Sequence, residues 1–210
     1  MQKFIITILS LACLLPLQAQ TGAESLLQKT VSRLQKDGGI QIKMDAQIRY
    51  EHGTDQTDME VKMSDGCFMA QEDEFILWFD GKTMWNAKDY GSGIEEIYIT
   101  NPTPEEKARY DIINLLGKHQ GFSISGNGTD TFILTASAPA HSVEGIRKIT
   151  IKVDPSTAAP KTLQIEFDEQ LGNVSATIQV TEYKPGQKYD KSTFTCPVTD
   201  YKDADIIDLR

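Results

Sequence analysis

The stretch Asp73–Asn86, DEFILWFDGKTMWN, decides how the rest of the chain is read. Two apolar runs, Phe75–Phe79 and Thr83–Trp85, flank Asp80-Gly81-Lys82. Asp-Gly between β-forming runs signals a hairpin, because glycine enters the φ > 0 region at little steric cost. Phe75 to Phe79 shows no alternation of apolar with polar residues, so both faces of that strand are expected to be covered. The stretch predicts a buried β-hairpin and says nothing yet about function.

Upstream, Ile40, Ile42, Met44, Ala46, Ile48 and Tyr50 alternate with Gln41, Lys43, Asp45, Gln47 and Arg49. Period-two alternation puts one apolar face inward and one polar face in water. His52–Thr57 reads as a polar turn, Met59, Val61 and Met63 as the return strand, and Cys67–Ala70 as a short third strand. An amphipathic helix, Ala23–Lys36, precedes them, with Leu27, Val31 and Leu34 at helical spacing and Gly38-Gly39 as its stop.

Downstream, Ile94–Ile99 is a further strand, and the period then changes. Thr103 with Glu106 three residues on forms a capping box, Pro104 suits the first helical position, and Ile112, Leu115 and Leu116 make an apolar stripe before Gly117. Phe122–Gly126 and Thr131–Ala136 flank Asn127-Gly128, a second hairpin signal. Three alternating sets follow: Ile149, Ile151, Val153; Leu163, Ile165, Phe167; Ala176, Ile178, Val180. Phe194 and Cys196 read as a last strand, and Tyr201–Arg210 as a polar, acidic tail. About a dozen strands in meander order with two helices predict a mainly β, α+β fold: an antiparallel sheet curled into a barrel or half-barrel.

The first nineteen residues have the form of a secretory signal: Lys3, the apolar run Phe4–Leu17, and Leu17-Gln18-Ala19 as cleavage site. That leaves residues 20–210 as a single domain with no internal linker. A rival reading makes Cys13, after Ser10-Leu11-Ala12, a lipid-attachment cysteine and the protein membrane-anchored. The formal net charge of −9, with no basic cluster larger than Arg147-Lys148, argues against a nucleic-acid partner. In an oxidising compartment Cys67 and Cys196 are a disulfide candidate; two separate buried thiols are the alternative.

Catalytic signatures such as GxSxG, HExxH, Walker and GxGxxG are missing from the sequence, so neither an enzyme nor a cofactor or metal is expected. The unusual feature is an apolar inventory rich in methionine and tryptophan: Met44, Met59, Met63, Met84, Trp78 and Trp85. Methionine is flexible and polarisable, which suits an adaptable apolar site, but a packed core has the same composition.

The string Glu74–Trp85, EFILWFDGKTMW, resembles the strand–DGKT–strand hairpin of the outer-membrane lipoprotein carrier family, the LolA-like proteins. Ala23–Lys36 is similar to that family's first helix, Phe122–Ala136 to one of its strand pairs, and Ser192–Pro197 to its closing strand. The resemblance implies an unclosed β-barrel with an N-terminal helix and a helical lid, Asp111–Gly117, over an apolar concave face. It implies a soluble monomer of the periplasm that takes lipoproteins from an inner-membrane ABC-type complex to an outer-membrane receptor. The implied acyl-chain-binding residues are Met44, Ile48, Met59, Val61, Met63, Trp85, Ile112, Leu115, Leu116, Ile149, Ile151, Leu163, Ile165, Phe167, Ile178 and Val180. Where many members carry an Arg-Pro pair that helps hold the lid, this chain has Ser64-Asp65. That departure leaves room for an envelope lipid-binding, sensor or assembly module of the same fold. An unrecognised hydrolase is the alternative from another class.

The signal-like N-terminus predicts a mature chain that begins at Gln20. Intact-mass measurement of the periplasmic fraction should return that species; diacylated Cys13 in a membrane fraction would refute it.

Overall fold

In the computed structural model the described residues are 22–35, 38–104, 106–107, 121–137, 145–168 and 172–210. Helix α1 covers 22–35 among the described residues, and Gly38 ahead of the first strand takes φ 70°, a conformation that costs glycine little. It lays Ala23, Leu26, Leu27, Val31 and Leu34 on a sheet, all buried. Thr30, also buried in this row, satisfies its hydroxyl by donating to the Leu26 carbonyl, 3.0 Å away.

Among the described residues the sheet has twelve strands. The first six are β1 Gly39–Tyr50, β2 Gly53–Ser64, β3 Cys67–Gln71, β4 Phe75–Phe79, β5 Met84–Asp89 and β6 Ile94–Thr100. The others are β7 Phe122–Gly126, β8 Thr131–Ala136, β9 Ile146–Val153, β10 Pro160–Phe167, β11 Ser175–Gln187 and β12 Asp205–Asp208. Their spatial order is β12-β6-β5-β4-β3-β2-β1-β11-β10-β9-β8-β7. All neighbours are antiparallel except β12, which runs parallel to β6. The two ends of this order do not pair, so the protein is an unclosed half-barrel with an N-terminal helix on its concave face.

Three local readings of the sequence are corrected. The meander is broken, because β1 pairs with β11 as well as with β2. His52–Thr57 is not a turn. The reversal takes only Glu51-His52, and Gly53–Thr57 already pairs with Ala46–Tyr50. Ladder hydrogen bonds to a long partner thus override the polar composition of this segment. The C-terminal region, read as a strand and then a tail, is the reverse. Lys191–Phe194 and Val198–Asp200 are 3₁₀ turns, and the acidic end supplies β12. Asp205 and Asp208 hid that strand, yet both stand at an edge where charge is tolerated and blunts further pairing.

The DGK hairpin forms as its lettering dictates. Gly81 takes φ 94°, and the Asp80 carboxylate accepts from the Lys82 and Thr83 amides at 2.8 and 2.7 Å. Both faces of β4 are covered. Leu77 and Phe79 pack with Met84 on the concave side; Trp78 packs with Trp85, Ala87, Ile97, Ile99 and Cys196 on the back. The segment from Lys191 to Ala204 covers this back-face cluster, with Tyr201 tilted against Trp78 at a ring distance of 6.4 Å. Elsewhere the back face is polar. Gln41 donates to Glu60, and Lys43 and Lys184 pair with Glu182 at 3.7 and 2.7 Å.

The proposed Cys67–Cys196 bridge is not formed; both thiols are free. Cys196 is enclosed in the Trp78/Trp85 cluster, whereas Cys67 opens β3 beside the β4–β5 turn, its thiol 4.0 Å from the Asp65 carbonyl. Burial, helped by Asp200, pushes the Cys196 thiol up to about 12, so its reactive thiolate is scarce at neutral pH. The expected result with Ellman's reagent is slow reaction of Cys67 alone in the native protein and of both cysteines in urea. No titratable thiol in urea would show a disulfide instead.

Gly39 is fixed by crowding. A Cβ there would lie 2.3 Å from the Gln187 carbonyl oxygen and 2.9 Å from the Tyr189 ring. Gly39→Ala should cost about 1–3 kcal/mol in urea denaturation, the range for overpacking. Gly53→Ala, where a Cβ meets nothing within 4 Å, is the control and should cost less.

Candidate functional site

The concave face is built from strand parity. Cross-strand partners share a face, so pairing carries it from strand to strand. Met44 pairs with Met59 and Val180, Ile42 with Val61, and Ile40 with Met63. Ile178 pairs with Leu163, Ala176 with Ile165, Leu163 with Ile151, and Ile165 with Ile149. Met63 pairs with Phe68, Phe68 with Phe79, and Phe79 with Met84. One uninterrupted apolar surface therefore runs from β9 across β1 to β5.

The expected binding residues divide along this surface. Ile149 and Ile151 are each 1% exposed beneath α1, so they are core and are reached only if α1 moves. Met44, Met63, Leu163, Ile165 and Val180 are half-buried at the margin of the α1 core. Ile48, Met59, Val61 and Ile178 continue the face, also half-buried. Phe167 joins beyond a register shift, opposite Ile146, which packs on the same core. Ile112, Leu115 and Leu116 lie outside the described residues, as does the whole expected lid, Asp111–Gly117.

Trp85 is a correction. It pairs with Trp78 and faces the back of the sheet under the C-terminal segment, so it cannot meet a ligand on the concave face. Its neighbour Met84 takes the concave position. Parity decides between them. Gly81 sets the register of the hairpin, and Met84 is then locked to Phe79 and, through Phe68, to Met63.

A cavity of about 450 Å³ opens where the C-terminal end of α1 meets β1–β3 and the β4–β5 turn. Leu34, Ile40, Met63, Phe68, Phe79 and Met84 form its walls. Gln35, Ser64, Asp65, Cys67 and Lys107 form its rim. The volume falls within the range of about 300–1,000 Å³ usual for small-ligand sites. A larger hollow, about 910 Å³, lies between α1 and the Pro155–Ala158 turn, but Ser25, Gln28, Lys29, Ser32 and Thr157 make most of its lining polar. It gives an acyl chain little to bury against.

The capping box read from the sequence forms at one edge of the apolar cavity. The Thr103 amide donates to the Glu106 carboxylate at 2.7 Å, and the Glu106 amide to the Thr103 hydroxyl at 3.3 Å. This sets the direction of Lys107, whose ammonium donates to the Gly81 carbonyl at 3.4 Å and lies 5.4 Å from the centre of the Phe79 ring. Phe68, Phe79, Ile40, Leu34 and Lys107 were not among the binding residues expected from the sequence. Parity from Met63 through β3 and β4 was the signal that reaches the first two; the rest meet only through the fold.

No protein-family model matches the chain, and no curated protein does. Solved structures do match. An uncharacterized conserved protein from Thermus thermophilus covers 89% of this chain and 98% of its own, at 12% identity and TM-score 0.55. This likeness shows a shared fold. A LolA superfamily protein from Nitrosomonas europaea matches 84% of this chain and 98% of its own, at 13% identity and TM-score 0.43. A putative outer membrane lipoprotein-sorting protein domain from Vibrio parahaemolyticus matches 84% and 97%, at 11% identity and TM-score 0.44. Among the described residues no helix is long and apolar enough to cross a membrane.

Proposed function

We propose that this protein is a non-enzymatic periplasmic carrier that shelters lipoprotein acyl chains on its concave face between the inner and outer membranes. The observation that carries this reading is the half-exposed apolar tract Met44/Met59/Met63/Leu163/Ile165/Ile178/Val180, continuous with the cavity at Phe79 and Met84. A folded protein normally hides such a tract from water, and one left accessible marks a site that something apolar occupies. Each buried methylene contributes ~0.8 kcal/mol, so about ten of them give on the order of 8 kcal/mol before ordering costs. Methionines at the centre of the tract adapt to chains of different length without a fixed shape requirement.

The donor and acceptor belong to the proposal by sequence resemblance: an inner-membrane ABC-type complex that releases lipoproteins, and an outer-membrane receptor. Hand-over requires that the bound chain leave again, which a half-open face permits and a sealed core does not.

The test is lipid binding by folded single mutants, with native mass spectrometry of the purified protein to look for bound lipid. Ile165→Glu and Ile178→Glu place a charge on the concave face; Gln164→Glu places one on the exposed back of β10. The first two should weaken acyl-chain binding at least tenfold and the third should leave it unchanged, with thermal transitions retained by all. Equal binding by all three would remove the concave face as the site. Lipid cleaved rather than released would turn the reading to a hydrolase.

A further inference from the structure

Resting on the carrier reading, the geometry points to a cavity that selects an acyl chain with an anionic head, the chain lying on Phe79 and Met84 and the head on Lys107. The apolar walls and the charged rim meet at one residue pair. Phe79 contributes its ring to the cavity, and the Lys107 ammonium stands 5.4 Å from that ring's centre. An ammonium carries three donors. One reaches the Gly81 carbonyl at 3.4 Å, and among the described residues no carboxylate pairs with it. Both contacts are neutral, so among the described residues the charge has no counter-ion at the mouth of an apolar chamber, in a chain with 30 acidic and 21 basic residues. A chain threaded past Phe79 brings its head within reach of the remaining donors. A carboxylate or a phosphate there gains a charge-assisted hydrogen bond that a neutral head does not.

Asp65 on the same rim gives the arrangement a second sign to test. It is exposed in the β2–β3 turn and accepts from the Ser64 hydroxyl at 3.1 Å. Its charge opposes an anionic head, so removing it should help where removing Lys107 hurts. Asp80 lies in the β4–β5 turn itself, but its carboxylate is already held by two backbone amides.

The experiment measures affinities of the full mature chain for palmitate, hexadecyl phosphate and neutral monopalmitoylglycerol, below their aggregation limits and at low salt. The wild type should bind both anions more tightly than the neutral lipid, and the stronger anion identifies the head as carboxylate or phosphate. Lys107→Gln should weaken the anions about tenfold and leave monopalmitoylglycerol unchanged. Lys107→Arg should restore anion binding, and Asp65→Asn should tighten it. Lys82→Gln, beside Gly81 on the β4–β5 turn but outside the cavity lining, should change nothing. Equal weakening of all three lipids by Lys107→Gln would mean that Lys107 only braces the wall, and would overturn the inference. So would a wild type without anion preference, with the carrier reading left intact. Failure of the wild type to bind any of the three would overturn both.

Discussion

The pairing of β1 with β11 is the constraint on which the structure depends. It joins Gly39–Arg49 to Ser175–Gln187 across most of the chain. Without it there would be two smaller sheets, β1–β6 with β12 and β7–β11, each with an uncovered apolar side. With it, β1 has partners on both edges, the face is continuous, and α1 can cover its middle. Such a contact closes a long loop before any local gain repays it, so it is entropically costly and cannot form early on local preference alone. Gly39 shows how closely the two strands approach, since a single added carbon there meets the Gln187 carbonyl.

The C-terminal segment solves a separate problem on the other side. Strands β3 and β4 are apolar on both faces, and β5 and β6 are apolar on the back, unlike β1, β2, β10 and β11, whose backs carry ionic and amide pairs. Lys191 to Ala204 covers that second face, and Cys196 and Tyr201 are its contacts with the tryptophans. β12 then pairs along β6, and the Leu209 amide reaches the Ile99 carbonyl at 2.9 Å. The back-face cluster fixes the β4–β5 hairpin, and so holds Phe79 and Met84 toward the cavity.

These two arrangements leave the concave face covered unequally. α1 buries the β7–β9 side and Ile40 and Ile42 of β1, while the rest of the surface over β1, β2, β10 and β11 is half-open. A uniformly sealed face would be a core and nothing more. A uniformly open one would invite aggregation. The intermediate state suits a reversible apolar ligand: sites that open and close belong to the less tightly packed part of a protein.

The strands, their inward sets and the hairpin turns were legible in the sequence, because period-two alternation and Asp-Gly or Asn-Gly are local and each has one physical reading. Thr103 and Glu106 announced their capping box for the same reason. Trp85 was misplaced because an unalternating run carries no parity; its face is set by pairing with Trp78 and by what covers Trp78. The Cys67–Cys196 bridge failed similarly, since composition gives two thiols but not their directions. β12 escaped notice because its stability comes from the β6 edge and not from Asp-Ile-Ile-Asp itself. The cavity at Leu34, Ile40, Phe79 and Lys107 was beyond sequence reading altogether. Those residues come from helix α1, two distant strands and the helical turn after the Thr103 cap, and only the closure of β1 on β11 with α1 laid across it brings them to one place.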